Sequence, residues 1–156
     1  YDICADYAHQ FGKRPGNLLL FGAPGLGKTF LSAAIAREVS GNGWSVVYDT
    51  AGRVFQRFEA QKFTREEDAG DDVDRVLNCD LLILDDLGTE MTGQFTSVAL
   101  YGLINDRLLA GKPTIISTNL SMEHIAQRYT PQIVSRVGGL YRELTFYGED
   151  IRRSPD

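Results

Sequence analysis

The chain has 156 residues, 43% hydrophobic and 24% charged, which is ordinary for one globular domain. Its formal net charge of −5 argues against an overall nucleic-acid binder; no apolar run approaches a membrane span and no signal peptide is visible. Cys4 and Cys79 stand far apart, without metal-ligand spacing, and fit a reducing cytoplasm.

The segment from Tyr1 to Phe11 predicts a helix, with Ile3, Tyr7 and Phe11 about four residues apart, and Lys13-Arg14-Pro15-Gly16 breaks it. A strand, Leu18 to Phe21, runs into Gly22-Ala23-Pro24-Gly25-Leu26-Gly27-Lys28-Thr29. This stretch fits G-x-x-x-x-G-K-[ST], the phosphate loop. Its glycines let backbone N–H groups close around a phosphate, and the following helix adds the partial positive charge of its N-terminus. Lys28 would reach the β- and γ-phosphates of ATP or ADP, and the Thr29 hydroxyl would ligate Mg²⁺. The nucleotide contacts expected are Gly22 through Thr29, with Phe30 beside them.

The next helix carries Leu31, Ala34, Ile35 and Val39, and Gly41-Asn42-Gly43 stops it. A second strand covers 45–48. A helix with Val54, Phe55 and Phe58 follows, then Lys62, Phe63 and Arg65, then an acidic run from Glu66 to Asp74. A short helix around Val73, Val76 and Leu77 leads to a third strand, Leu81 to Leu84, apolar on both faces as a central parallel strand should be. A long helix over 92–109 places Leu100, Leu103, Ile104 and Leu108 on one stripe. The fourth strand is Thr114 to Thr118. Ser121 caps one helix, Thr130-Pro131 opens another, and Gly138-Gly139 closes it. Glu143 to Phe146 reads as a fifth strand. The alternation predicts an α/β fold, a parallel sheet with helices on both faces and ligands beyond the carboxyl ends of its strands.

Asp85 and Asp86 end the third strand. An apolar strand finishing in acid is the second half of a nucleotide site: Asp85 would hold Mg²⁺ through its water shell, and Asp86 would polarise the attacking water. Asp86 is one methylene shorter than the usual Glu, which predicts slow turnover. Asn119, ending the fourth strand, can hydrogen-bond the attacking water or the γ-phosphate. Asp49, ending the second strand, is a rival base. Arg136 on the last helix could reach a neighbour's γ-phosphate, although on the residues alone a solvated surface arginine is the simpler reading. His9 and His124 have no ligand-spaced partners.

In this order, the phosphate loop, "LLILDDLGTE", "TIISTNLS", "SRVGG" and "FYGEDIR" resemble the AAA+ domain of the bacterial DnaC/DnaI replicative helicase loaders, with the IstB transposition ATPases closely similar. The resemblance implies a P-loop AAA+ sheet of order 5-1-4-3-2. Only about ten residues follow the fifth strand, too few for a full helical lid domain. It makes Asn119 a γ-phosphate sensor, Arg136 the finger acting across a subunit boundary, Arg152 a second sensor and Arg142 a weaker finger. It implies that Arg53, Arg57, Lys62 and Arg65, with Phe55, Phe58 and Phe63, lie on an inserted helix that touches single-stranded DNA.

The expected protein is a slow ATPase and replicative helicase loader, assembling into an ATP-dependent oligomer. Residues 1–156 would be its single AAA+ domain, and a missing N-terminal domain would bind a DnaB-type helicase. The alternatives are an IstB-like transposition helper and, more remotely, a P-loop kinase for a small molecule.

Overall fold

The computed structural model describes residues 2–13, 16–23, 25, 27–63, 67–90 and 93–146. Along the chain run α1 (Asp2–His9), β1 (Asn17–Gly22), α2 (Lys28–Gly41), β2 (Val46–Thr50), α3 (Ala51–Phe63), α4 (Glu67–Asn78), β3 (Leu81–Leu87), α5 (Gln94–Leu109), β4 (Thr114–Thr118), α6 (Met122–Arg128), α7 (Pro131–Leu140) and β5 (Tyr141–Phe146). The strands pair in parallel in the order β2-β3-β4-β1-β5, which is the expected 5-1-4-3-2 read from the other edge. Residues 147–156, on which the expectation of a missing lid rests, lie outside the described residues.

Two cores follow from the period of two along the strands. Leu18, Leu20, Leu81, Ile83 and Ile115 point to one face and pack with α1 and α2 through Cys4, Ala8, Ile35 and Val39. Leu19, Val47, Leu82, Leu84 and Ile116 point to the other, against Val54, Phe55, Val76, Leu100, Leu103, Ile104, Ile125, Ile133 and Val137 of α3 to α7. Leu81 to Leu84 are all fully buried, as a strand covered on both faces requires.

Local signals set most boundaries. The Ser121 hydroxyl accepts the His124 N–H at 3.2 Å and starts α6. Thr130 accepts the Ile133 N–H at 3.3 Å, and Pro131 occupies the first turn of α7. Two elements differ from expectation. From Glu67 onward the acidic run is itself helical, forming the first half of α4, with Val73 and Val76 buried. α7 continues through Gly138 and Gly139 to Leu140. A Cβ at 138 would stand 3.2 Å from the Met122 side chain, so the glycine serves the contact with α6 rather than ending the helix.

α1 closes one corner. Tyr7 stacks obliquely on Phe11 at 5.9 Å, and Phe11 meets Trp44 edge-to-face at 5.3 Å. Gly12, at φ +98°, passes beneath the indole, where a Cβ would come within 2.5 Å of it. Among the described residues no helix is long and apolar enough to cross a membrane.

Candidate nucleotide site

β1, β3 and β4 lie side by side, and their carboxyl ends bring three stretches together. β1 turns at Gly22 into the phosphate loop. Gly22 has φ +159°, and a Cβ there would sit 2.8 Å from the Phe146 carbonyl, so β5 closes against the loop only because the residue is glycine. Gly25 and Gly27 take φ of +82° and +94°, in the left-handed region that glycine enters without cost. Gly27 precedes α2 without a side-chain cap, which leaves the N–H groups of the first turn available to an anion.

Lys28 is 6% exposed. Its ammonium donates to the Gly22 and Ala23 carbonyls, the latter at 2.8 Å. Burial pushes its pKa down, while the charges of Asp86 and Asp85 push it back up. The Thr29 hydroxyl donates to Asp85, 3.2 Å from Oδ2. Phe30, expected beside the nucleotide, is 72% exposed. Pro24 and Leu26 lie outside the described residues.

Asp85 and Asp86 owe their joint position to an irregularity in the sheet. Between the pairs Leu84–Ile116 and Leu87–Thr118, β3 advances three residues while β4 advances two. The extra residue is a bulge, and Asp86 within it takes φ +55°. In a regular strand adjacent side chains leave opposite faces, an alternation that the bulge breaks at Asp86. Burial, then the charge of Asp85, raises the Asp86 pKa, and Lys28 opposes them. Position 86 also suits Asp sterically, since Asp and Asn tolerate the left-handed region better than longer side chains. That gives a backbone reason for the shorter acid.

Among the described residues no three His, Cys, Asp or Glu side chains gather to hold a metal unaided. The donors present, a threonine hydroxyl beside a carboxylate, fit Mg²⁺, which commonly takes one or two protein oxygens and completes its shell with phosphates and water.

The remaining expected residues are more dispersed. Asn119 is exposed at the end of β4, Arg136 is exposed on α7 and Arg142 is exposed on β5. Arg152 and Arg65 lie outside the described residues. Asp49, the rival base, is paired instead with Arg57 at 2.9 Å and more loosely with Arg53 at 3.9 Å. Arg57 is therefore already partnered, Arg53 is solvated, and the Lys62 ammonium sits 5.2 Å from the centre of the Phe95 ring. The expectation that Phe55 and Phe58 offer rings to DNA bases is corrected: Phe55 is 5% exposed in the core and Phe58 packs against it, because α3 lays that face on the sheet. The Phe63 side chain lies outside the described residues.

Sequence reasoning missed three residues around Asp85 and beyond it. Tyr48 on β2 and Ser117 on β4 both donate to the Asp85 carboxylate. Glu90 accepts from the Gly88 N–H at 2.9 Å and from the Tyr129 hydroxyl, tying the loop after β3 to the end of α6. The strand register identifies Tyr48, two positions out of pair with Asp85 on the same face; Glu90 closes the run LLILDDLGTE without a role being read for it.

The chain is similar to proteins of known family and fold. The family described as IstB-like ATP binding protein matches residues 6–136. The replicative helicase loader DnaC of Escherichia coli strain K12 is 26% identical over 134 residues, which is 84% of this chain and 54% of that relative, so the chain spans about half its length. A crystal structure of the DnaC helicase loader superposes with a TM-score of 0.80 at 24% identity, covering 93% of this chain and 86% of the other. Replication initiator DnaA bound to AMPPCP and single-stranded DNA gives a TM-score of 0.80 at 21% identity, covering 96% of this chain and 46% of the other. At such identities the structural likenesses establish a shared fold.

Proposed function

From a chain that belongs to the IstB-like ATP-binding family and has the fold of the AAA+ P-loop proteins, we propose a slow ATPase that acts in DNA replication as a loader of the replicative helicase. The observation that supports catalysis is the convergence of Lys28 and Thr29, after β1, with Asp85 and Asp86 of β3 at the carboxyl edge of the sheet. The relatives named as helicase loaders support the biological role.

On this reading the phosphate loop and the first turn of α2 bind the ATP phosphates, and Lys28 neutralises their charge. Thr29 and Asp85 would hold Mg²⁺, which when bound spreads the negative charge of the phosphates. Asp86 takes a proton from water, and Asn119 orients that water. Arg136, exposed on α7, reaches the nucleotide of a neighbouring subunit, and the ATP-bound protomers assemble around single-stranded DNA. Of the proposed DNA contacts, Arg53 and Lys62 are exposed on α3, Lys62 beside the Phe95 ring, and both Arg53 and Arg57 would have to be shared with Asp49. The helicase contact is assigned to residues N-terminal to this domain.

Two substitutions test the chemistry. Arg136→Ala should leave the ATP dissociation constant within about threefold, while hydrolysis falls at least ~100-fold and the ATP-dependent oligomer is lost. A steady-state phosphate assay with light scattering reads both, and wild-type turnover would remove the finger. Asp86→Asn keeps a residue that tolerates φ +55° and should cut turnover by at least ~100-fold with little change in affinity. It should also raise the melting temperature at neutral pH. A carboxyl whose folded pKa is raised favours folding below its unfolded pKa, and that benefit is lost as pH rises through the folded value. The gain from Asn should therefore vanish once the pH drops below the ordinary carboxylate range.

The partner is tested with the full-length protein, its host's replicative helicase and ATP, by size-exclusion chromatography with light scattering. A stable complex supports the loader. No complex, while ATP still binds, favours the second reading, a transposition helper that partners a transposase, which the family match itself supports.

A further inference from the structure

The bulge in β3 leaves a problem that β4 solves. Asp86 falls within the register shift between β3 and β4, and the Ser117 hydroxyl accepts its N–H at 3.2 Å. The same hydroxyl donates its proton to Oδ1 of Asp85. One fully buried oxygen therefore touches both acidic residues of the site, the side chain of one and the backbone of the other.

On the opposite side of β3, β2 supplies a second hydroxyl. Tyr48 pairs with Ile83, two positions before Asp85 and so on the same face. Its phenol donates to Oδ2 of Asp85 at 3.2 Å. Thr29 shares that oxygen, also at 3.2 Å. The carboxylate is thus held by three hydroxyls from three elements. Thr29 belongs to the phosphate loop and is expected on Mg²⁺; Tyr48 and Ser117 flank the carboxylate from the neighbouring strands, and nothing in the phosphate-loop pattern calls for them.

Resting on the nucleotide-site reading above, the geometry points to Tyr48 and Ser117 as positioning residues: they fix the Asp85 carboxylate between two strands for Mg²⁺–ATP, and Ser117 also holds the bulge that sets Asp86. When Thr29 turns its hydroxyl to the cation, these two keep Asp85 in place. Ser117 acts on both acids and so on binding and turnover; Tyr48 acts on Asp85 and so on the cation dependence.

The test uses Tyr48→Phe and Ser117→Ala in the protein, with a fluorescent ATP analogue titrated in EDTA and at increasing Mg²⁺. In EDTA both variants should bind within about twofold of wild type. The Mg²⁺ concentration giving half of the affinity gain should rise about tenfold in each, the range found for partners that orient metal ligands. Ser117→Ala should in addition lose at least ~10-fold in kcat with KM nearly unchanged, since only it loosens Asp86. Unchanged Mg²⁺ dependence in both variants overturns the proposal, as does an equal loss of affinity with and without Mg²⁺, the mark of a merely structural role. If Ser117→Ala does not fold, Tyr48→Phe decides the positioning of Asp85, and Ser117→Cys, a weaker donor and acceptor at the same place, decides that of Asp86 through the same kcat readout. Failure of the wild-type chain to bind any nucleotide would instead remove the nucleotide-site reading, and the proposal with it.

Discussion

Lys28→Ala should abolish ATP binding at any concentration normally used, a loss of at least ~100-fold in affinity. Each charge-assisted contact to a phosphate is worth about 1.5–3 kcal/mol, and the lysine is expected to serve two phosphates; every 1.4 kcal/mol is about tenfold. The protein itself should survive. Lys28 is buried with two carbonyls and two acids around it, and burial already opposes its charge. A depressed lysine pKa means that the charged form opposes folding wherever the pH lies below the folded value, so its removal relieves a cost while two loop carbonyls lose a donor. The apo melting temperature should therefore move by only a few degrees, and the shift caused by ATP should disappear. Calorimetric titration beside thermal scans of both proteins separates the two effects. Persisting affinity in a folded variant would mean that phosphate binds elsewhere.

Arg107→Met should have the largest effect on stability, about 3–5 kcal/mol, without touching the chemistry. Arg107 is 1% exposed and faces no carboxylate among its described contacts. Its guanidinium donates to the Val76, Leu77 and Cys79 carbonyls at 2.9–3.1 Å, to the Pro113 carbonyl at 2.7 Å and to the Thr114 hydroxyl at 2.8 Å. It thereby caps the last turn of α4, where the helix dipole favours a cation, and binds that turn to the start of β4. Methionine fills the volume but leaves those carbonyls buried without donors. Urea unfolding should show the loss as a lower midpoint with an unchanged slope. Arg107→Lys, one point charge in place of a fork, should recover only part of it. A variant within 1 kcal/mol of wild type would mean that water replaces the guanidinium.

These two residues show what the amino-acid pattern could and could not disclose. Lys28 is legible as a candidate because phosphate-loop chemistry demands a local pattern: three glycines, a lysine and a hydroxyl residue in eight positions, between a strand and a helix. The strands declared themselves by apolar runs, and β4 occupies the expected residues. Arg107 was invisible because it stands on the apolar stripe of α5, one turn beyond Leu103 and Ile104, where Leu108 had been expected to complete the row. Its partners are backbone carbonyls around thirty residues earlier, which leave no trace in composition. The bulge at Asp86 was hidden for a related reason: two consecutive acids mark a strand end, but only the register with β4 shows that an extra residue re-aims one of them. The order of the strands came from resemblance, since apolar runs say which segments are strands and not which are neighbours. The core position of Phe55, with the partly buried Phe58 packed against it, shows the opposite error, with aromatic residues beside arginines credited to a partner when the fold already uses them.

Trp44 is the single tryptophan of the chain. It lies against Phe11 and over Gly12, away from the lysine and the two acids, at 39% exposure. The intrinsic emission of the protein is consequently a gauge of one joint, the seating of α1 beside the end of α2, and is spectroscopically separate from nucleotide occupancy. A wavelength change on adding ATP would register motion carried along α2 from the phosphate loop to its far end, one helix length away, rather than quenching by the ligand itself.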